Sequence, residues 1–185
     1  MILCLTGMMG CGKSSAGRLL AERLGVPFLD LDNLIETRTG RSIPEIFATD
    51  GEAAFRVRER ETLGEVLDRS GSCVLALGGG TVMTPACADL VRNRTCCVYL
   101  RTGGETLFLR LTSGRQETAG RPLLGSAQDT EALRRRIGRL LDERDPVYAA
   151  VARHTVDTDG LPLPEVADRI LAALFPFLSG HSVLA

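Results

Sequence analysis

Gly7-Met8-Met9-Gly10-Cys11-Gly12-Lys13-Ser14 fits the pattern G-x-x-x-x-G-K-[ST]. It follows a short apolar run, Ile2 to Thr6, and precedes helical spacing from Ser14 to Leu24, which is the context the pattern requires. Glycines let the backbone curl so that successive N–H groups, here from Gly10, Cys11, Gly12, Lys13, Ser14 and Ser15, point at phosphate oxygens. The helix that follows adds its positive end. Lys13 would bridge the β- and γ-phosphates of a nucleoside triphosphate, and the Ser14 hydroxyl would bind Mg²⁺.

Asp30-Leu31-Asp32 ends the second apolar run, and extended alternation places both carboxylates on one side, near the phosphate loop. One can assist the metal while the other faces an acceptor hydroxyl. Alternatively Asp32 only caps the next helix, with Glu36 on its first turns. Phosphoryl transfer to an alcohol needs positioning, charge neutralisation and a carboxylate to accept the proton, and Asp32 is the candidate base. A hydrolase would need a residue that orients water, and none is identifiable.

Two further patterns are weak alone. Gly51 to Ser70 reads as a charged helix whose Glu52 and Arg56 pair at i, i+4 on a solvated face. Gly78-Gly79-Gly80 reads as a tight turn whose N–H groups could also bind hydroxyls.

These residues need elements to hold them. Apolar runs at Ile2–Thr6, Val26–Asp30, Cys73–Leu77, Cys96–Leu100 and Thr155–Asp157 alternate with helical spacing at 14–24, 32–39, 42–49, 51–70, 105–111, 129–145 and 163–177. That order argues for βαβ crossovers and a three-layer α/β/α fold around a parallel sheet of about five strands. Ligands of such sheets sit at the carboxyl ends of the strands, where Gly7, Asp30 and Gly78 fall. Residues 112–127 have no period and form a candidate mobile lid, and 179–185 read as a loose tail after a single domain spanning 1–178.

Composition narrows the classes. At 185 residues, 44% hydrophobic and 24% charged, the chain has the balance of one globular domain. A net charge of −1 and only 4% aromatic residues argue against nucleic acid, and Arg134-Arg135-Arg136 reads as a solvated helix face. No apolar stretch approaches the roughly 18 residues that a membrane span requires, and the N-terminus has no leader pattern. The cysteines, without a C-x-x-C pair, read as buried reduced thiols of a cytoplasmic protein. Cys11, in the phosphate loop at a helix start, reads either as a thiol made reactive by that position or as an inert loop thiol.

In order along the chain, the phosphate loop, Asp30-Leu31-Asp32-Asn33-Leu34-Ile35-Glu36, Thr39-Gly40-Arg41-Ser42-Ile43, Ile46-Phe47, the Gly51-Glu52 and Phe55-Arg56 pairs, Gly78-Gly79-Gly80 and Gly120-Arg121-Pro122-Leu123-Leu124 resemble the shikimate kinases. The resemblance runs from about Leu3 to Ala172. It implies transfer of the ATP γ-phosphoryl group to the 3-hydroxyl of shikimate by a monomer of the nucleoside-monophosphate-kinase-like fold. It further implies that Asp32 binds that hydroxyl as base, that Arg56 and Arg144 grip the carboxylate, and that Glu59 orients Arg56. Gly78, Gly79 and Gly80 would present N–H groups to the substrate, and Asp30 would hold Mg²⁺ through water beside Ser14. Arg121 matches an arginine that closes over the phosphates, and Arg110 one that lies against adenine, in a segment from 110 to 121 longer than usual. Two other readings stay open: another small-molecule kinase, for gluconate or nucleoside monophosphates, or a nucleotide-binding regulatory module without turnover.

Overall fold

The structure, a computed structural model, describes residues 1–113 and 130–178. Five strands, β1 (Ile2–Thr6), β2 (Phe28–Asp30), β3 (Cys73–Ala76), β4 (Cys96–Arg101) and β5 (His154–Asp157), form one sheet in the order β2-β3-β1-β4-β5. Every pairing is parallel. All five residues of β1 and all four of β3 are buried, because helices cover both faces of a parallel sheet and leave no place for polar alternation.

The helices are α1 (Lys13–Leu24), α2 (Leu31–Thr39), α3 (Ile43–Arg69), α4 (Pro85–Arg94), α5 (Gly104–Ser113), α6 (Thr130–Val151) and α7 (Leu163–Leu178). Helix α1 packs on α7, α5 on α6, and α3 on α4. The α/β fold with five parallel strands is the one expected, but four details differ from the sequence expectation. Strand β2 starts at Phe28 and not at Val26, since Pro27 has no N–H to give a ladder. Helix α4 escaped notice because its buried side is made of Cys87, Ala88 and Val91, too small to give a strong periodic signal. Helix α6 continues through Pro146 to Val151, held by burial of Tyr148 and Val151 despite the lost hydrogen bond. Thr112 and Ser113, assigned to the lid, are the last turn of α5, and the rest of the 112–127 segment lies outside the described residues.

Helix α3 carries the residues of the expected acceptor side, and its start is over-determined. Ser42 accepts from the Glu45 amide while the Glu45 carboxylate accepts from the Ser42 amide at 2.7 Å. At Gly51, φ 82° and ψ 168° break the helix. Asp50 bridges that break by accepting from both ends of Arg41, at 3.1 and 2.7 Å, and pairing with Arg58 at 2.7 Å. The residues before the break are thereby tied to those after it.

The space around Gly51 is open, so strain at Gly51 is purely a matter of backbone angle. Gly51→Ala is expected to lower the free energy of unfolding by about 1–2 kcal/mol. Gly64→Ala, in open space within regular helix, should raise it by about 1 kcal/mol. Urea denaturation of both variants checks the pair, and a Gly51→Ala protein as stable as the parent would remove the constraint.

Candidate active site

Parallel register brings the carboxyl ends of β1, β3 and β2 side by side, so the loops after Thr6, Ala76 and Asp30 meet over one edge of the sheet. The first is the phosphate loop. Gly7, Gly10 and Gly12 take φ of 141°, 83° and 100°, angles that side-chain-bearing residues rarely adopt. At Gly7 a Cβ would also stand 2.8 Å from the Leu100 carbonyl oxygen. Gly12 begins α1 without any side-chain cap, which leaves the first amides of the helix available to an anion. Lys13 Nζ donates to the carbonyls of Gly7 and Met8, at 2.9 and 3.1 Å.

Asp30 ties this loop to α2. Its Oδ2 accepts from Ser14 Oγ at 2.8 Å and its Oδ1 from the Asp32 amide at 3.2 Å. Asp30, not Asp32, therefore caps α2, which answers the alternative reading of Asp32. Asp32 stands one residue inside the helix, so close to Gly78 that a Cβ there would lie 2.6 Å from Oδ1. Burial, reinforced by the neighbouring carboxylates of Asp30 and Glu59 and only partly offset by Lys13, pushes Asp32 up to about 6.

On the other side of Asp32, α3 presents Arg56. Its Nη1 donates to Glu59 at 2.7 Å and its Nη2 to Glu52 at 3.0 Å. The i, i+4 pair read from sequence exists, yet the stronger partner is Glu59, 1% exposed, which also accepts from Thr81 Oγ1 at 2.6 Å. Gly80 has no room for a side chain, since a Cβ would meet Arg56 Nη2 at 2.6 Å. Arg144 on α6 is buried and donates from Nη1 to the Gly79 carbonyl at 3.2 Å. Among the described residues it has no acidic partner within ion-pair reach.

A single cavity of about 630 Å³ runs across these groups. The loop from Gly10 to Ser15, Asp30, Asp32, Arg56, Glu59 and the three glycines all line it, as does Arg110, whose Nη1 lies 3.3 Å from the Cys11 carbonyl oxygen. Arg144 sits behind Gly79 and not on the wall. One cavity thus joins an anion-binding loop to a raised carboxylate and to arginines.

A family model for shikimate kinase matches residues 9–175. The shikimate kinase of Halorhodospira halophila is 48% identical over 170 residues, covering 92% of this chain and 91% of that protein. That of Thiobacillus denitrificans is 44% identical over 156 residues, 84% and 80% of the two chains. Among solved structures, the shikimate kinase from Acinetobacter baumannii in complex with shikimate superposes with a TM-score of 0.85 at 35% identity, covering 99% of this chain and 95% of that one. The chain belongs to the shikimate kinase family. Membership makes it an ATP-dependent kinase acting on shikimate, and sets aside the gluconate, nucleoside-monophosphate and regulatory readings.

Within the kinase, Arg121 lies outside the described residues. The Cys11 thiol, read as either reactive or inert, is 2% exposed and turned toward Gly7. The nucleotide end of the cavity also has lining residues that were not read from sequence: Thr158, Leu161 and Leu163, after β5. Their signal was available, since they follow the carboxyl end of the last strand just as Gly7 follows the first. Shikimate kinases use ATP with a divalent metal, and Ser14 and Asp30 suit that need: a hydroxyl and a carboxylate, both hard oxygen donors, 2.8 Å apart beside the phosphate loop. No described cluster of three or more carboxylate, imidazole or thiol groups is needed, because phosphate oxygens complete such a shell.

A carboxylate whose folded pKa lies above its unfolded value is protonated more readily in the native state. Its stabilising contribution is therefore present below about pH 4 and lost as pH rises through about 6. Asp32→Asn should accordingly stabilise the protein at pH 7.5 by about 1–3 kcal/mol, with the gain vanishing toward pH 4. Thermal unfolding of both proteins across that range is the check, and a gain that does not vary with pH would contradict the raised carboxylate.

Proposed function

We propose that this kinase passes the γ-phosphoryl group of ATP to the 3-hydroxyl of shikimate within the cavity described, with Asp32 as the base. The observation that carries the reading is the continuity of that cavity, lined at once by the phosphate loop and by Asp32, Arg56 and Gly78 to Gly80.

At neutral pH a carboxyl with a pKa of about 6 is ionised, yet it is far more basic than an ordinary carboxylate. Asp32 accepts the hydroxyl proton as the acceptor oxygen bonds to phosphorus and the bond to the ADP oxygen breaks. The N–H groups from Gly10 to Ser15 hold the phosphates, and Lys13 neutralises charge on the transferring group. Ser14 and Asp30 would hold Mg²⁺, Asp30 through water, and the ion would supply charge that offsets the phosphates. Arg56 grips the shikimate carboxylate from the cavity wall and Arg144 reaches it from behind Gly79, a role supported by the lack of any acidic partner for the buried Arg144 among the described residues. Glu59 holds Arg56 in place through its short contact, itself braced by Thr81. Arg110 covers the adenine, and Arg121 closes over the phosphates.

We further propose a monomer of one domain, residues 1–178, in the cytoplasm. Only four large hydrophobics among the described residues are exposed, Met1, Val57, Leu109 and Leu163, each from a different part of the chain. All six cysteines are buried, as suits reduced thiols.

Purified protein with Mg·ATP should release ADP strongly with shikimate and only at background with gluconate, nucleoside monophosphates or no acceptor. Stimulation by one of the others would overturn the acceptor assignment. Asp32→Asn should retain ATP binding and lose at least about a hundredfold in kcat, and the pH profile of kcat/KM in the parent should fall below about pH 6. Near-normal turnover in the variant would remove Asp32 from the base role. Arg121→Ala should slow transfer much more than it weakens shikimate binding, and an unchanged kcat would contradict closure over the phosphates.

A further inference from the structure

The carbonyl of Gly79 turns toward α6, and two donors from that helix share it: the Tyr148 hydroxyl and Arg144 Nη1, the latter at 3.2 Å. A trans peptide unit is planar, with its C=O and N–H pointing in opposite directions. Fixing the Gly79 carbonyl on α6 therefore aims the Gly80 N–H away from α6. No described residue accepts a hydrogen bond from that N–H.

Tyr148 is held on several sides. It is fully buried, its ring lies 5.1 Å from that of Tyr99, and its hydroxyl stands 4.0 Å from the Met8 sulfur in the phosphate loop. Tyr99 in turn donates to Asp145, the neighbour of Arg144, at 2.5 Å. Burial pushes the Tyr148 hydroxyl up to about 12, so it remains a neutral donor throughout the working range of the enzyme.

Arg144 takes its anchor from the same two groups. Its Nη1 donates to the Gly79 carbonyl, and its side chain also hydrogen-bonds the Tyr148 hydroxyl, so its place depends on Tyr148 both directly and through Gly79. The carbonyl it holds stays in place because Tyr148 occupies the other lone pair.

We propose that Tyr148 is a positioning residue for the acceptor: by fixing the Gly79 carbonyl it holds the Arg144 guanidinium ready for the carboxylate of shikimate. The proposal rests on the reading of Arg144 as part of the carboxylate clamp. Tyr148 touches no reacting atom, and its effect reaches the substrate only through Gly79 and Arg144.

Tyr148→Phe keeps the ring in its packing and removes only the hydroxyl. It should raise KM for shikimate about five- to tenfold while leaving kcat and KM for ATP within about twofold. Arg144→Met alone should raise KM for shikimate by about tenfold or more, and adding Tyr148→Phe to it should change KM by less than about twofold. Tyr99→Phe removes a hydroxyl from the same buried cluster without touching Gly79, so it should lose similar thermal stability and keep its KM for shikimate. Equal rises in both KM values, a comparable rise in Tyr99→Phe, or a full second penalty in the Arg144→Met background would each overturn the positioning role. An unchanged KM for shikimate in Arg144→Met would overturn the clamp itself, a failure visible before Tyr148 is altered.

Discussion

The Asp30 carboxylate has two oxygens, and each is committed to a different half of the site. Oδ2 receives the Ser14 hydroxyl from the first turn of α1, and Oδ1 receives the amide of Asp32 at the start of α2. Helix α1, which begins at the phosphate loop, and helix α2, which carries the proposed base Asp32, are therefore tied together by a single side chain. Pairing of β1 and β2 on either side of β3 brings Asp30 to that point. Shifting β2 by one residue would turn Asp30 to the opposite face of the sheet, breaking the Ser14 contact and the cap of α2 together.

Charge on the acceptor side is organised with equal economy. Glu59 is buried beside Arg56, with Thr81 satisfying its second oxygen, so the pair is compensated in a medium where an isolated charge would be expensive. The same negative charge acts on Asp32 in the opposite sense and helps to raise it. One carboxylate thus steadies the arginine and raises the carboxylate proposed as the base. The resulting instability of ionised Asp32 is a local sacrifice of the kind active sites make, offset by the dense packing of β1, β3 and β4 beneath.

How much of this was legible in sequence depends on how local the cause is. The phosphate loop, Ser14 and Asp30 follow from spacing, because a turn between a strand and a helix fixes its own geometry within eight residues. The order of strands and helices was legible for the same reason, whereas α4 and the far half of α6 were not: Cys87 and Ala88 give a faint stripe, and Pro146 reads as a stop that tertiary packing overrides. Capping by Asp30 in place of Asp32 turned on which carboxylate has extended backbone, with φ −119° and ψ 119° at Asp30, a distinction that residue type does not carry. Tyr148 and Thr158 were missed because their partners lie 69 and 56 residues away, at Gly79 and Thr102. Contacts of that range are set by topology, not by a local pattern.

The position of Lys13 completes the logic of the loop. An ammonium carries three donors, and here two rest on the carbonyls of Gly7 and Met8 while the third reaches the Cys11 sulfur at 3.8 Å. A thiol is a weak acceptor, so this third donor is the one a phosphate oxygen claims most readily. The two carbonyl bonds meanwhile fix the ammonium on the loop, so in its proposed role Lys13 would meet a phosphate with two of its three donors still held by the backbone. The Cys11 side chain turns inward, its sulfur beside Gly7. A small apolar thiol fits that space, and the same burial that makes it acceptable there keeps it from being the exposed nucleophile that its position in the sequence suggests.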